Sequence, residues 1–322
     1  MIDGDDLELF TRSVRAATER CHLGPPNGAL DTELDALGWA DALGADERAA
    51  VSVLFEAQGA AGATSSALGL VVARAAGVDA AGSAVVLPAL GGAAPPASMD
   101  GQGRVTVDGL AGAELARAAT AVVAAAHGDH VVAATVATTE LAARTIAGVD
   151  EWLGLAQVSG DATVVSEPAV IDWTAGIAAA QIALGHELVG VARTMLALAR
   201  EHALERVQFG RPIATFQAVR HRLAETLVAI ETADAAHGAA WVDPSPTNAA
   251  IAKAVAGRGA RTAAKHCQQV LAGMGFTTEH DLHRFIRRSL VLDQLYGSSK
   301  TLTRTLGDEV LVNRTMPAPV PL

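Results

Sequence analysis

Aromatic residues are scarce: six Phe, four Trp and one Tyr among 322 residues. Half of the residues are nevertheless hydrophobic, so the core must be built from Ala, Leu and Val. Small side chains of that kind favour closely packed helices, because Ala is the best helix former and loses no side-chain entropy. Cysteine is scarcer still. Cys21 and Cys267 alone exclude a disulfide framework and read as small, semi-buried thiols. Basic residues number 24 against 35 acidic ones, a net charge of −11, which excludes the basic stripe of a nucleic-acid-binding domain. No run of eighteen uncharged apolar residues occurs, which argues against a transmembrane helix. The stretch 118–126 comes closest, and His127, Asp129 and His130 end it. The opening Met1-Ile2-Asp3-Gly4-Asp5-Asp6 is acidic where a signal peptide would be basic. These absences point to a cytoplasmic chain that engages neither nucleic acid nor membrane, and the apolar content excludes disorder.

What is present divides the chain in three. Residues 1–81 read as an N-terminal helical region. Leu7, Phe10, Val14 and Ala17 fall at helical spacing, Gly24-Pro25-Pro26-Asn27-Gly28 is a break, and 68–76 is a further apolar segment. Residues 82–172 read as a small, reduced β-rich middle domain. Val85-Val86-Leu87 is a short apolar run, and Arg104-Val105-Thr106-Val107 sits between Asp-Gly turns. Segments 121–126, 131–136 and 162–165 are further strand candidates. Residues 173–322 read as a four-helix bundle with a frayed Met316-Pro317-Ala318-Pro319 tail. Leu184, Leu188, Val191, Met195 and Leu198 form the seam of its first helix. The second runs from Gln217 to about Trp241. Asn248 is the expected cap of the third, which reaches Leu271, and the fourth extends from the Gly273-Met274-Gly275 turn to about Val312. The fold class is mainly α.

Two segments go beyond generic bundle sequence. One is Arg206-Val207-Gln208-Phe209-Gly210-Arg211-Pro212-Ile213 with a trailing Phe216-Gln217. The other is Gln269-Val270-Leu271-Ala272-Gly273-Met274-Gly275-Phe276. In their order and separation they resemble the C-terminal domain of acyl-CoA dehydrogenases. The first is similar to that family's Arg-x-Gln-Phe-Gly motif. The second is similar to its Gln-x-x-Gly-Gly-x-Gly-Phe/Tyr motif, with Ala272 in place of the first glycine. The resemblance implies the family's order of helices, β domain and helical bundle, and it implies FAD. Arg206 would grip the pyrophosphate of a neighbouring subunit's flavin with its planar fork of donors. Gln208, Phe209, Gly210 and Gln217 would lie beside it, Gln269 would be a further cofactor contact, and Gly273 and Gly275 would let backbone approach the dinucleotide.

Other motifs carry less. His280-x-x-His283 has metal-like spacing but no third ligand, so a polar helix start is the better reading and no metal is expected. Arg284, Arg287 and Arg288 form a basic turn suited either to a CoA or FAD phosphate or to a solvated helix face. Gly257-Arg258-Gly259 lies within a helical pattern without a preceding strand, so it is no dinucleotide fingerprint.

The departures from the family pattern shape the expected function. The middle-domain Thr-Glu-Pro-x-x-Gly-Ser segment is missing; Ser166-Glu167-Pro168 lies at the wrong end of the β region. The family's base glutamate precedes Gly-Thr in the last helical region, where this chain has Leu295-Tyr296-Gly297-Ser298. Tyr296 therefore stands at the glutamate's place, and Ala180 stands at the alternative place on the first bundle helix. A neutral tyrosine is a poor base near pH 7, Asp293 is the only acid nearby, and no catalytic residue is assigned. The resemblance implies a short subunit of a heteromeric, α2β2-type acyl-CoA dehydrogenase, like those of actinobacterial steroid catabolism. It would share FAD with a larger catalytic subunit, serve an acyl-CoA substrate, and pass electrons to an electron-transfer flavoprotein. A flavin-free structural or regulatory subunit and a homo-oligomeric dehydrogenase with an atypical base are the alternatives.

Overall fold

The computed structural model describes residues 4–314; the Met1–Asp3 start and the Met316–Pro319 tail lie outside them. Five helices open the chain: α1 (Gly4–Arg20), α2 (Ala29–Ala36), α3 (Trp39–Ala45), α4 (Glu47–Ala61) and α5 (Ala67–Ala75). The Asp46 carboxylate accepts the Ala49 amide and so starts α4. Trp39, Leu54 and Phe55 are the bulk of a core otherwise made of Ala, Val and Leu.

Eight strands follow as one sheet, ordered β6-β7-β3-β2-β4-β5-β8 with β1 parallel to β4. They are β1 (Ala84–Val86), β2 (Ala97–Met99), β3 (Arg104–Ala111), β4 (Thr120–His127), β5 (His130–Ala137), β6 (Ala142–Thr145), β7 (Ala156–Thr163) and β8 (Ala169–Val170). The sheet is fuller than the sequence suggested, because β2, β6 and β8 are too short to show a period. The strand expected at 162–165 starts earlier, at Ala156, since Val107 pairs with Gly160 and Leu110 with Gln157. The two faces of β4 serve two cores. Val123 packs within the sheet's own core, while Val122 and Ala124 turn toward the helical core.

The C-terminal part contains five long helices: α6 (Trp173–Glu205), α7 (Gln217–Val242), α8 (Pro246–Leu271), α9 (Leu282–Gln294) and α10 (Ser299–Asn313). The expected fourth helix is thus two. Tyr296 and Gly297 break it, both with left-handed backbone at φ 54° and 97°. Helix α8 is capped by Ser245, whose hydroxyl accepts the Asn248 amide, with Pro246 at its first turn; Asn248 is not the cap. Helix α6 is long and apolar enough to cross a membrane. Here it is the central core helix, buried by α4, α5, α7, α8 and α9.

Small residues set the α4–α6 crossing. A side chain at Gly59 would meet the Glu187 carbonyl at 2.1 Å, and one at Gly190 would meet the Glu56 carbonyl at 2.1 Å. The two backbones touch through reciprocal glycines. Beside this contact lies a buried ion pair, Arg288 Nη2 to Glu187 Oε1 at 2.6 Å, with both side chains only 3% exposed. Gln58 donates to the other carboxylate oxygen at 3.1 Å, and Arg288 also donates to Thr64 Oγ1 and to the carbonyls of Gly62 and Ala63. Helices α4, α6 and α9 are thereby fastened at one point.

Two imidazoles are buried between α6 and α7. His186 Nε2 accepts from Trp241, His237 Nδ1 bonds the Ala233 carbonyl, and the ring centroids lie 4.6 Å apart. Burial, then the neighbouring His237 and Arg48, hold His186 well below its ordinary value, and burial lowers His237 as well.

Two outcomes follow from these buried groups. Arg288→Ala leaves Glu187 charged and unpaired and should lower the urea-unfolding free energy by about 3–5 kcal/mol, whereas Glu187→Leu combined with Arg288→Met should recover most of it. The depressed histidines contribute stability fully above about pH 6.5, their unfolded value, and lose it as the pH falls toward their folded values. The urea midpoint should therefore drop from pH 7.5 to 5.5, and His186→Gln should flatten that drop.

Candidate functional site

Helix directions decide which motifs can meet. Arg193 pairs with Asp234 and His186 with Trp241, so α6 and α7 are antiparallel. Thr226 meets His266, and a side chain at Gly259 would touch the Ala229 carbonyl, so α7 and α8 are antiparallel too. The end of α6, the start of α7 and the end of α8 consequently share one end of the bundle. Arg206, Gln208, Phe209, Gly210 and Gln217 lie at that end, as do Gln269, Gly273 and Gly275.

Arg206 closes α6, and a two-stranded ribbon follows it: β9 (Val207–Gln208) against β10 (Arg211–Pro212). Its two-residue turn, Phe209-Gly210, has φ 55° and 79°. That is the geometry of a type I′ turn, which favours Asn-Gly. Phenylalanine in the left-handed region costs on the order of 1–2 kcal/mol, and this ring is 91% exposed. Its neighbour Phe216 lies edge-on at 6.1 Å, and the Arg211 guanidinium covers Phe216 at 4.4 Å. Arg206 and Gln217 are exposed, and Arg206 makes no ion pair among the described residues. Burial, then His280 and Arg206, lower the pKa of His202, so three cationic or potentially cationic groups sit close together.

The α8 end differs in detail from expectation. Ala272 is left-handed at φ 50°, and a 3-10 turn, Ala272–Phe276, follows. Gly275 is buried: a side chain there would come within 2.6 Å of the Gln268 carbonyl, and Gln268 Nε2 donates to the Gly275 carbonyl. The chain's own backbone therefore requires this glycine. Gly273 is open, and Met274 and Phe276 expose their side chains beside it.

Tyr296 lies elsewhere. Gln181, near the start of α6, donates to its carbonyl at 3.1 Å. Twenty-five residues of helix separate Gln181 from Arg206, about 37 Å at 1.5 Å per residue. The ring is 1% exposed, packs near Trp173 with centroids 6.2 Å apart, and carries a hydroxyl with no partner among the described residues. Burial raises its pKa. Ala180 is fully buried. Asp293 accepts the Ser299 amide through Oδ1 and bonds Arg261 through Oδ2 at 2.9 Å, so it ties α9 to α10 and to α8. Buried Lys253 donates to the carbonyls of Asp293 and Gly297, and burial brings its pKa down to about 8.

The basic turn suits neither role expected of it. Arg284 stacks on the Trp152 ring at 4.0 Å and donates to the Leu23 carbonyl. Arg288 is consumed by Glu187, and only Arg287 faces solvent. His280 Nδ1 accepts the Leu282 amide, and His283 Nδ1 bonds the His280 carbonyl, the polar helix start foreseen for them. The Gln58–Glu187–Arg288 network and Lys253 went unnoticed in the sequence. Glu187 inside the apolar α6 pattern was the available signal.

Similarity to known proteins is concentrated in the C-terminal part of the chain. The family model described as acyl-CoA dehydrogenase, C-terminal domain, matches residues 173–311. Acyl-CoA dehydrogenase IpdE2 of Mycobacterium tuberculosis is 37% identical over 188 residues, 56% of this chain and 57% of that protein. The match thus spans little more than half of that relative's length. Among solved structures, a variant of the Tcur3481-Tcur3483 steroid ACAD superposes with a TM-score of 0.78 at 22% identity, covering 97% of this chain and 99% of that one. The ChsE4-ChsE5 complex from Mycobacterium tuberculosis gives 0.75 at 20% identity, covering 97% and 98%. At such identities the structures establish the fold alone, and the sequence similarity is strongest over the C-terminal part. Residues 173–311 match the acyl-CoA dehydrogenase C-terminal domain, and the whole described chain has the fold of the solved structures named above.

Proposed function

We propose that this chain is one subunit of a heteromeric, FAD-dependent acyl-CoA dehydrogenase that desaturates the α,β bond of an acyl-CoA thioester. Arg206, Gln208, Phe209, Gly210 and Gln217, with Gln269, Gly273 and Gly275, would hold the pyrophosphate and adenine portion of a flavin seated mainly in a larger partner subunit. The carrying observation is the separation of about 37 Å along α6 between Arg206 and the Tyr296 region. No single flavin spans it, so the hairpin serves a site in another chain. The 91% exposed Phe209 ring on a strained turn supports the same reading, as a residue kept against backbone preference for an outside contact. The donor set fits the group: a free guanidinium for a diphosphate, an aromatic face for an adenine, and an open Gly273 for close backbone approach.

When bound, FAD supplies the two-electron acceptor for the reaction. This chain's residues bind and orient it, and the carboxylate that takes the α-proton belongs to the partner. Tyr296 is buried, neutral and hydrogen-bonded through its carbonyl alone, so it serves packing. The names of the two structural neighbours, one a steroid ACAD and one a complex of two different chains, favour a steroid-derived acyl-CoA and a heteromeric assembly, for which we propose an α2β2 arrangement. An electron-transfer flavoprotein would reoxidise the flavin.

Purified alone, the chain should lack tightly held flavin, and co-expression with its partner should yield a yellow complex. One FAD per isolated chain would overturn the reading. In the complex, Arg206→Ala removes a charge-assisted bond worth about 1.5–3 kcal/mol, so flavin affinity should fall roughly ten- to a hundredfold while this subunit stays folded. Arg206→Lys should restore only part, because an ammonium lacks the fork. Flavin absorbance after dialysis measures both.

A further inference from the structure

We propose that the cavity beside Trp241 is a ligand site in its own right, for a flat apolar molecule that carries an ammonium group. The proposal is independent of the heteromeric reading, because it concerns a face of α6 that neither the flavin hairpin nor Tyr296 uses. Position, shape and charge carry it.

Position separates the cavity from both regions already described. Ala178 and Ile182 of α6 line it. Leu184, two residues on and so about 200° round the helix, lies instead in the core that holds Tyr296. Twenty-four residues of helix separate Ile182 from Arg206, about 36 Å at 1.5 Å per residue.

Shape makes it a receptacle. The start of α4, the end of α5, the start of α6 and the corner between α7 and α8 enclose about 330 Å³. That lies within the roughly 300–1,000 Å³ usual for small-molecule sites. Val51, Val71, Ile182 and Trp241 give it an apolar wall, and Ala178 and Ala249 are too short to fill it. Elsewhere small residues let helices touch, as Gly59 and Gly190 do; here they leave space. Trp241 is already fixed in place. Its indole N–H donates to His186 Nε2 at 3.0 Å, and the two rings lie 27° from parallel. A ligand therefore meets a preformed aromatic wall and need not order it.

Charge selects the ligand. Glu47 and Asp172 line the cavity, both exposed, and no basic side chain does so among the described residues. Asp172 caps α6 through Oδ1 and the Ala175 amide. Neither carboxylate makes a salt bridge among the described residues. Glu47 and Ala75 also line a wider trough of about 850 Å³, which adds Asp35 and Asp79 against one base, Arg74. An ammonium gains from these carboxylates and from an indole face. A phosphate or carboxylate is repelled, so the phosphates of CoA and FAD are turned away here.

The test titrates the full chain, by calorimetry at low salt, with three probes of one ring system: naphthylmethylammonium, naphthylmethanol and naphthoate. The cation should saturate at one per chain and bind about five- to tenfold more tightly than the alcohol, while naphthoate should show no saturable binding. Ala178→Leu, which fills the cavity, should abolish uptake of the cation while the far-UV spectrum stays unchanged. Glu47→Gln combined with Asp172→Asn, which keeps a capping side chain on α6, should bring cation and alcohol to equal affinity. Absence of saturable cation binding to the unaltered chain overturns the proposal, and so does naphthoate binding as tightly as the cation. Undiminished uptake by folded Ala178→Leu overturns it as well. Should that variant not fold, the double variant decides, since a retained preference for the cation would remove the carboxylates from the site.

Discussion

The ion pair between Arg288 and Glu187 is the constraint on which the rest of the arrangement depends. It joins α9 to α6, and through Gln58, Thr64 and the carbonyls of Gly62 and Ala63 it joins both to the end of α4. A charge pair with only 3% of each side chain exposed survives because every strong donor and acceptor in it is used. Its geometry also fixes spacing. Gln58, on α4, reaches Glu187 only if α4 and α6 lie close enough for Gly59 and Gly190 to touch the opposing backbone. The glycine contact and the salt bridge therefore specify one crossing together. A larger residue at either glycine would push the helices apart and break the polar network at once.

Scarcity of aromatics follows the same logic. An interior of Ala, Val and Leu brings helices closer than rings allow, and it leaves few rings to spare for the surface. The eleven aromatics accordingly mark special places. Trp39 and Phe55 fill the N-terminal core, Trp173 and Tyr296 close the seam at the start of α6, and Trp152 anchors the sheet's loop on Arg284. Phe209 and Phe276 break the pattern by standing in solvent, Phe209 on a turn that disfavours it. In a protein this sparing of rings, an exposed one calls for a contact outside the chain.

Much of this was legible in the sequence, and the reasons for the rest are physical. Helix seams such as Leu184, Leu188 and Val191 announce themselves by period, and the three-part division of the chain follows from where the period changes. The break at Tyr296-Gly297 was hidden because the apolar pattern runs through it. Only the left-handed backbone, held by Lys253, Asp293 and Gln181 from three different helices, reveals two helices there. Such contacts are tertiary and leave no local period. Short strands such as Ala142–Thr145 escaped for the opposite reason, since four exposed residues carry no alternation. The hairpin was readable as a break in the helical pattern, because Gly210 and Pro212 interrupt the period between α6 and α7. The arginines of α9 were not. Arg284 and Arg288 look alike in sequence, and their fates were decided by Trp152 and Glu187, which lie 132 and 101 positions away.

The two ends of α6 complete the argument. At its start the Tyr296 side chain is buried beside a seam walled by Leu184, Leu292 and Leu295. At its far end the chain keeps a free guanidinium, a strained exposed ring and an open glycine. A scaffold relieved of all function would have no reason to hold Phe209 in a left-handed turn, where glycine or asparagine costs less. A closed, fully packed start and an open, unpaired end suit the proposed reading, in which the exposed end meets a second chain.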